Sequence, residues 1–261
     1  MTYQVEKDKM QGIPETMLQT LYARAQESKK DDRHIYDEKA IEIVSELDYD
    51  FSKAADDKMM SYGVIARTIL LDRLVEDFLK QNKDAVVINI ACGLDTRCYR
   101  MQGKYLRWYN VDLPETMQIR SRFLEENGPI YQIAKSAMDP AFAESIEYVI
   151  IEGLTMYLSG ADVRQMFHII DEKVEHATVF MEAMSLFSVK HIKEKSIEGS
   201  QAKFTWGIKD GKSMEKLIPP FQSQGDVSLV EGMKEFMPIY KLIDKIPAAR
   251  NISNKILILK K

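Results

Sequence analysis

The sequence has few of the residues that bind metals or form disulfides. Its 261 residues include two cysteines, Cys92 and Cys98, and four histidines, at positions 34, 168, 176 and 191. A structural zinc site needs a cluster of such ligands, and the scattered histidines offer none, so we expect no metal site. Two cysteines that flank one short segment are more typical of reduced thiols than of a structural disulfide.

An excess of positive charge and long apolar runs are also absent. The formal net charge is -4 at pH 7, whereas a surface that follows nucleic-acid phosphates usually belongs to a basic domain. No apolar run approaches the roughly 18 residues of a membrane span, and residues 1–8 lack the basic and then apolar pattern of a secretion signal. We therefore expect a cytoplasmic protein with no nucleic-acid or membrane partner.

The order of the predicted elements indicates an α/β fold. Residues 1 to about 80 show helical patterns and no strand signals, and they predict a helical extension or lid. From residue 85 onward, strands and helices alternate, with apolar strands predicted at 85–91, 106–111, 130–134, 148–151 and 177–181. Such alternation predicts a Rossmann-like, seven-stranded, mostly parallel sheet with helices on both faces.

The last third of the chain departs from this alternation. Residues from about 184 to 225 contain scattered aromatic residues and Pro219-Pro220, and they predict an insertion that covers the carboxyl ends of the strands as a lid. The strand-like segments 226–230 and 255–259 have no clear crossover helix between them, so we expect the last strand to be antiparallel, at or near an edge. We therefore predict an extension (1–80) and a core (81–261) that carries this insertion.

The segment from Ala85 to Glu115 carries the strongest functional signal. Its first apolar run breaks at Cys92-Gly93-Leu94-Asp95-Thr96-Arg97, and a second run ends at Asp112. A strand, a tight turn, a helix, a strand and an acidic residue about 20 residues past the turn are typical of a nucleotide-cofactor half-site, in which the acid holds a ribose. A pyrophosphate needs a glycine-rich turn, and this turn offers only Gly93. The pattern therefore favours S-adenosylmethionine, which has no phosphate.

Candidate site residues follow the ends of four predicted strands, where ligands bind in open parallel sheets. They are Gly93 after the first, Asp112 and Leu113 after the second, Ser136 and Ala137 after the third, and Glu152 after the fourth. Asp112 is expected to hold the ribose diol, with a helix cap before Pro114 as the alternative. For Asp95, capping of the following helix and contact with the cofactor have equal support.

Arg67 and Glu152 are charged residues within apolar patterns, and each can bind the cofactor or form a salt bridge. Arg67 falls in phase with the apolar stripe of a long predicted helix, so it must be paired or face a polar ligand. Glu152 ends an apolar strand and is placed to accept hydrogen bonds from the cofactor's ammonium group. Its alternative role is a salt bridge to Arg67 or Arg97, and the two roles are compatible.

Several motifs together resemble a known family. The segments VVINIACGLDTRCYR, WYNVDLPETMQIR, KSAMDP and IIEGLTMYL look like the leucine carboxyl methyltransferase family, which includes bacterial polyketide O-methyltransferases of the tetracenomycin type. The resemblance extends over most of the chain, through IPETMLQTLYARAQESK, ARTILLD and TWGIKDGKSME. It implies a class I methyltransferase that depends on S-adenosylmethionine.

The resemblance also implies roles for individual residues. Those that it assigns to the cofactor are Arg67 at its carboxylate, Gly93, Asp112 at the ribose, Ser136 and Ala137 at the adenine side, and Glu152. The family's tyrosine matches Tyr157. Ser136 stands where another branch of the family has an acidic residue, so the adenine amino group is contacted differently here. A basic residue of that branch's first helix, which binds cofactor or substrate, aligns with either Ala23 or Arg24.

The acceptor is less well defined by the sequence. We expect O-methylation of a carboxylate or hydroxyl of a small molecule, and no histidine stands out as a base. Arg24, Tyr157, Phe204 and Trp206 are candidate acceptor-site residues, Tyr157 being also the candidate catalytic residue, and packing is the alternative for the three aromatic residues. A nicotinamide-dependent oxidoreductase and a catalytically inactive S-adenosylmethionine-binding module remain alternative functions.

Overall fold

A computed structural model describes residues 3–4, 13–142, 148–192 and 203–261 of the chain. Its strands are β1 (Tyr3–Gln4), β2 (Leu47–Asp48), β3 (Val86–Ile90), β4 (Arg107–Asp112), β5 (Ile130–Ala134), β6 (Tyr148–Ile151), β7 (Thr178–Ala183), β8 (Gln222–Ser228) and β9 (Lys255–Lys260). Its α-helices are α1 (Ile13–Ser28), α2 (Glu38–Glu46), α3 (Ser52–Asp56), α4 (Lys58–Gln81), α5 (Arg97–Arg100), α6 (Pro114–Phe123), α7 (Gly160–Lys173), α8 (Leu186–His191), α9 (Gly211–Leu217), α10 (Leu229–Phe236), α11 (Tyr240–Ile243) and α12 (Pro247–Ile252).

Seven of the strands form one sheet, in the order β5-β4-β3-β6-β7-β9-β8. Strands β3 to β7 are mutually parallel, and β9 is antiparallel to both β7 and β8. The predicted seven-stranded, mostly parallel sheet is confirmed, and so is the antiparallel last strand, which lies one position from the edge. The strand order reverses between β3 and β6, and this is the point at which such sheets bind ligands.

Helices cover both faces of the sheet because the central strands are apolar on both sides. On one face, Ile88 and Val149 pack with buried residues of α7 such as Phe167. On the other face, Val87 packs with Leu71 of α4. Helix α7 begins with a capping box, in which Ser159 and Asp162 satisfy each other's backbone donors. Among the described helices, none is long and apolar enough to cross a membrane.

The segment before β9 differs from the prediction. The expected strand 226–230 begins earlier, at Gln222, and ends at Ser228, and three short helices, α10 to α12, follow it where no helix was predicted. Strand β8 is an edge strand of mostly polar residues, so it has no apolar run to mark it. Leu229 and Val230, which were predicted to be part of that strand, lie on the buried face of α10.

The N-terminal region also contains more than the predicted helices. Strands β1 and β2 pair in parallel as a separate two-stranded sheet, which the sequence did not predict because two-residue strands show no periodicity. Helices α1, α2 and α4 lie in the region predicted to be helical, and α1 packs against both α2 and α4. Residues 193–202 of the predicted insertion lie outside the described residues, and its role as a lid, like the division into extension and core, stays a prediction.

Candidate active site

A cavity of about 670 Å³ lies at the carboxyl ends of the parallel strands, between the sheet and helices of the N-terminal and C-terminal regions. Most of the site residues predicted from the sequence line it. They are Arg24, Arg67, Gly93, Asp95, Asp112, Leu113, Ser136, Ala137, Glu152, Tyr157 and Phe204. Four loops that are far apart in the chain therefore meet at one site, as the strand-end argument predicted.

The turn after β3 has a backbone that few residues adopt. Ala91 and Gly93 both have positive φ angles, of 53° and 49°, and a non-glycine residue in this region is uncommon outside functional sites. A Cβ atom at Gly93 would lie 3.1 Å from the Cβ of Met17 in α1. The glycine is therefore required for conformation and for the close approach of α1. Both cysteines beside this turn are free and buried.

Asp112 binds the backbone on both of its carboxylate oxygens. Its Oδ2 accepts the N–H of Gly93 at 2.8 Å, and its Oδ1 accepts the N–H of Leu113 at 2.7 Å. Burial raises the pKa of Asp112 above its ordinary value, although these two hydrogen bonds oppose the increase. The carboxylate therefore connects the turn after β3 to the end of β4 and faces the cavity with acceptor capacity that a donor can use.

The carbonyl groups of the same turn are held by two buried arginines. Arg120 of α6 donates to the carbonyls of Gly93 (2.9 Å) and Asp95 (2.7 Å), and Arg24 of α1 donates to that of Leu94 (2.8 Å). Both side chains are almost completely buried. Sequence reasoning missed Arg120, and its one signal was a charged residue three positions after the buried Met117 on α6, in phase with the inner face.

Arg97 lies at the centre of a buried set of ion pairs. Its guanidinium donates to Asp72 (2.6 Å), Asp95 (2.7 Å) and Glu152 (2.9 Å) and is 1% exposed. The Oδ1 atom of Asp95 also accepts the N–H of Arg97 at 2.9 Å, so Asp95, one residue before the N-cap Thr96, satisfies the first backbone donor of α5. Burial raises the pKa of Asp95, but the charges of Arg97 and Arg100 outweigh it, and the pKa is lower than the ordinary value. Asp95 thus supports the start of α5, and its contact with the cofactor stays a prediction.

Arg67 bridges two glutamates on adjacent strands. Its Nε donates to Glu152 at 2.8 Å, and one terminal nitrogen donates to Glu182 at 3.1 Å. Arg67 is therefore paired, and Glu152 makes both of the salt bridges that were considered for it, to Arg67 and to Arg97. Glu182 was missed by sequence reasoning, although a single acid inside the apolar strand Val-Phe-Met-Glu-Ala was the signal that marked it.

Asp37 connects these ion pairs to the N-terminal helices. It caps α2 and accepts hydrogen bonds from Arg24 (2.9 Å), Thr96 (2.6 Å) and Arg100 (2.9 Å). Ala23, the other residue considered for the family's basic position, is buried in a small apolar cluster with Met60 and Val64 and does not itself line the cavity. The structure thus brings Arg24 to the site, where its hydrogen bonds go to Asp37 and to the turn.

We call the charged residues at the strand ends, Arg67, Asp95, Asp112, Glu152 and Glu182, the polar part of the cavity. The apolar part is formed by methionines and by residues of α8 and α10 to α12. It consists of Met59, Met60, Met156, Met184, Phe187, Ile192, Leu229, Val230, Met233, Ile243 and Ile252. The rings of Tyr157 and Phe204 lie 5.7 Å apart at the lining.

Trp206 is the one predicted site residue that the cavity lining does not include. Its indole nitrogen would lie 3.2 Å from a Cβ at Gly160, and the ring packs on the core beside α7. The packing alternative therefore describes Trp206, because the backbone of residues 205 and 206 bonds to the carbonyl of Met156 and turns the ring toward α7. None of the four histidines, all of which lie in the described residues, lines the cavity.

The polar part is poorly suited to a diphosphate. The N–H of Gly93 is already bonded to Asp112, and the first turn of α5 is capped by Asp95. An anion bound here would therefore meet carboxylates instead of free backbone donors. The same carboxylates complement hydroxyl groups and cations, which are the donors that an adenosyl and methionyl ligand presents.

Comparison with known proteins shows sequence relatives over most of the chain. The model of the leucine carboxyl methyltransferase family matches residues 17–139. The tetracenomycin polyketide synthesis O-methyltransferase TcmP of Streptomyces glaucescens is 29% identical over 247 residues, which cover 91% of this chain and 92% of that protein. The S-adenosyl-L-methionine-dependent methyltransferase dpfgK of Gibberella zeae is 26% identical over 236 residues, covering 80% of this chain and 79% of that protein.

Solved structures share the fold at low sequence identity. A candidate methyltransferase of Thermobifida fusca YX is 11% identical, has a TM-score of 0.61 and covers 98% of this chain and 96% of that one. The magnesium protoporphyrin IX methyltransferase ChlM of Synechocystis PCC 6803, solved with SAH, has a TM-score of 0.53 at 10% identity and covers 78% of this chain and 87% of that one. The predicted family resemblance is confirmed, and this chain is an S-adenosylmethionine-dependent methyltransferase.

Proposed function

We propose that this methyltransferase of the leucine carboxyl methyltransferase family transfers the methyl group to a carboxylate or hydroxyl oxygen of a small, largely apolar, polyketide-like acceptor. The observation that carries the proposal is the division of one cavity into a polar part and an apolar part. The polar part suits the cofactor, and the apolar part offers the acceptor a lining of methionine, aliphatic and aromatic side chains. TcmP, by its name, methylates an oxygen in polyketide synthesis.

In this proposal the cofactor lies along the carboxyl ends of the strands. Asp112 accepts the ribose hydroxyls, with Gly93 providing the close backbone approach, and Leu113, Ser136 and Ala137 contact the adenine side. Arg67 binds the cofactor's carboxylate and Glu152 its ammonium group, and Asp95 contributes from the capped turn. The fit is supported by the close packing at Gly93, where a Cβ would meet Met17, and by the acidic character of the lining.

S-adenosylmethionine, when bound, supplies an activated methyl group on a sulfonium. The protein must then hold the acceptor oxygen in line with the methyl carbon and keep water out. The methionines of the apolar part are flexible and adapt to an irregular acceptor. An acceptor carboxylate is ionised at neutral pH without a base, which suits a lining that includes no histidine. Tyr157 and Phe204 would orient the acceptor, and Arg24 would contribute from its own place in the lining.

Asp112→Asn tests the cofactor placement. The amide keeps the shape but loses charge-assisted hydrogen bonds, so we expect the affinity for S-adenosylhomocysteine to fall by about 2 kcal/mol, or about 30-fold. Isothermal titration measures it. Glu115→Gln is the matched control, because Glu115 is exposed on the same loop and helix but outside the lining. An affinity that Asp112→Asn leaves unchanged would remove Asp112 from the site.

The acceptor class is tested with methyl-labelled cofactor and 3-hydroxy-2-naphthoate, which offers a carboxylate and a hydroxyl on one aromatic frame. We expect an O-methylated product. Mild alkali separates the two possibilities, because it cleaves a methyl ester and leaves a methyl ether intact. A panel of phenols, aromatic acids and amines extends the test, and label transferred only to nitrogen or carbon would contradict the proposal.

A further inference from the structure

Glu182 is a buried acid at the cavity to which the proposed function assigns no role. It lies in β7, is 2% exposed and contributes to the cavity lining. In the sheet, Ile151 of β6 pairs with Met181 of β7, so Glu152 and Glu182 are neighbours at the ends of adjacent strands. Two carboxylates placed side by side repel each other unless a cation lies between them.

Glu182 fixes two parts of the site by hydrogen bonds. Both of its carboxylate oxygens accept from the same terminal nitrogen of Arg67, at 3.2 and 3.1 Å. One of them also accepts the N–H of Gly153 at 2.9 Å, where φ is +67°. Glu182 therefore sets the orientation of the Arg67 guanidinium and the conformation of the turn after β6.

Glu182 is also the last member of a continuous chain of ion pairs. From Asp37 the pairs lead through the side chains at positions 100, 72, 97, 152 and 67 to Glu182, with Arg24 as a branch on Asp37 and Asp95 as a branch on Arg97. Within this chain of described residues, four arginines meet five carboxylates. The arrangement is one negative charge in excess, and its final carboxylate is at the cavity.

The cofactor and its product differ by one charge. S-adenosylmethionine carries a sulfonium, an ammonium and a carboxylate, and is a net cation at neutral pH. S-adenosylhomocysteine has a neutral thioether in place of the sulfonium and has no net charge. An ion-pair network with more carboxylates than guanidiniums beside a partly buried cavity favours the cation, because charges interact more strongly there than in water.

We infer that Glu182 is a positioning residue that orients Arg67 and gives the site its preference for the cationic cofactor over the neutral product. This inference rests on the proposed placement of the cofactor in the polar part. Glu182 would then select for the positive charge of the sulfonium, which methyl transfer removes from the cofactor. Because the product has no sulfonium, the site binds S-adenosylhomocysteine less tightly than S-adenosylmethionine.

The test is isothermal titration of wild type and Glu182→Gln with each ligand. Gln keeps an acceptor for the N–H of Gly153 and removes the charge. We expect the dissociation constant for S-adenosylmethionine to rise about 30-fold and that for S-adenosylhomocysteine about threefold, so that their ratio changes about tenfold. Glu172→Gln, at a residue that is exposed on α7, is the control and is expected to change neither.

Glu182→Asp separates charge from shape. It keeps the carboxylate but shortens the reach to Arg67, so both affinities should fall while the ratio between the two ligands stays near that of wild type. The inference is overturned if Glu182→Gln weakens the binding of both ligands equally or of neither. It is also overturned if the ratio of the two dissociation constants changes as much in Glu182→Asp as in Glu182→Gln. If wild type binds neither ligand, the proposed function itself fails.

Discussion

The polar and apolar parts of the cavity are held in shape by different forces. In the polar part and the ion pairs next to it, carboxylates and guanidiniums of α4, α5, β7 and the turns after β3 and β6 bond to one another at 2.6 to 3.2 Å. In the apolar part, α8 and α10 to α12 are short, and several of their apolar residues, among them Phe187, Leu242 and Ile252, are exposed by 44 to 61%. One part is fixed by many directional contacts, and the other by non-directional packing of side chains, some buried and some exposed.

This difference corresponds to what each part has to recognise. A cofactor with fixed charges and hydroxyls requires donors and acceptors at set positions, and side chains that bond to one another supply them before the ligand arrives. An apolar acceptor requires mainly volume and the exclusion of water. Substitutions in the polar part should therefore affect stability and cofactor affinity strongly, whereas those in the apolar part should affect only the acceptor.

The largest effect is expected from Arg97→Met. The substitution leaves three carboxylates, those of Asp72, Asp95 and Glu152, without their shared cation inside the protein. We expect the free energy of unfolding, measured with urea, to fall by about 3 to 5 kcal/mol.

Arg73→Met is the control for that measurement. Arg73 pairs with Glu235 at 2.9 Å, but the two side chains are 54% and 43% exposed. Its loss should cost less than about 1 kcal/mol, because solvent screens exposed pairs. Equal losses in the two variants would show that burial of the ion pairs does not distinguish the polar part.

The second effect concerns pH. Burial raises the pKa of Asp37, but the charges of Arg100 and Arg24 outweigh it and hold the pKa below its ordinary value. An acid whose folded pKa is depressed contributes stability above the unfolded pKa of about 3.9, and this contribution disappears as the pH falls through the folded value. We expect Asp37→Asn to cost about 3 kcal/mol at pH 7.

The cost of Asp37→Asn should then shrink below about pH 4, as wild type loses its own advantage. Urea unfolding of both proteins between pH 3 and 7 measures this. Asp31→Asn, at an exposed position of the same region, should show no such dependence. A cost that stays constant over this range would mean that hydrogen bonding, and not charge, connects the N-terminal helices to the polar part.

The smallest effect is expected in the apolar part. Phe187 lines the cavity and is 44% exposed, whereas the neighbouring Leu186 is 53% exposed and outside the lining. Phe187→Ala should weaken the binding of 2-naphthol, a neutral aromatic probe followed by its fluorescence, by about 1 kcal/mol, or about fivefold. The affinity for S-adenosylhomocysteine should stay within about twofold, since Phe187 belongs to the apolar part.

Leu186→Ala is the matched control and should change neither affinity. If Phe187→Ala weakened S-adenosylhomocysteine as strongly as 2-naphthol, the two parts of the cavity would be energetically coupled, and the comparison between them would no longer hold.

Sequence reasoning was most successful where the signal is local. The five parallel strands are rich in apolar residues, and the turn at Gly93 follows directly after one of them, so both are visible in the sequence. It was less successful at β8, whose residues are polar because the strand lies at an edge, and at α10 to α12, which are too short to show a period. Trp206 was considered for the acceptor site because aromatic residues line many pockets, but its backbone contacts direct it into the core.

The sequence by itself determined the α/β architecture, the cofactor turn and the acids that end β4 and β6, because these depend on patterns within a few tens of residues. The tertiary structure decided which charges meet. Arg67 contacts Glu152 and Glu182 across 85 and 115 positions of the chain, and no local pattern encodes such a separation. Those contacts follow from the parallel pairing of β6 with β7, which places two glutamates side by side, and from the position of α4, which brings one arginine between them.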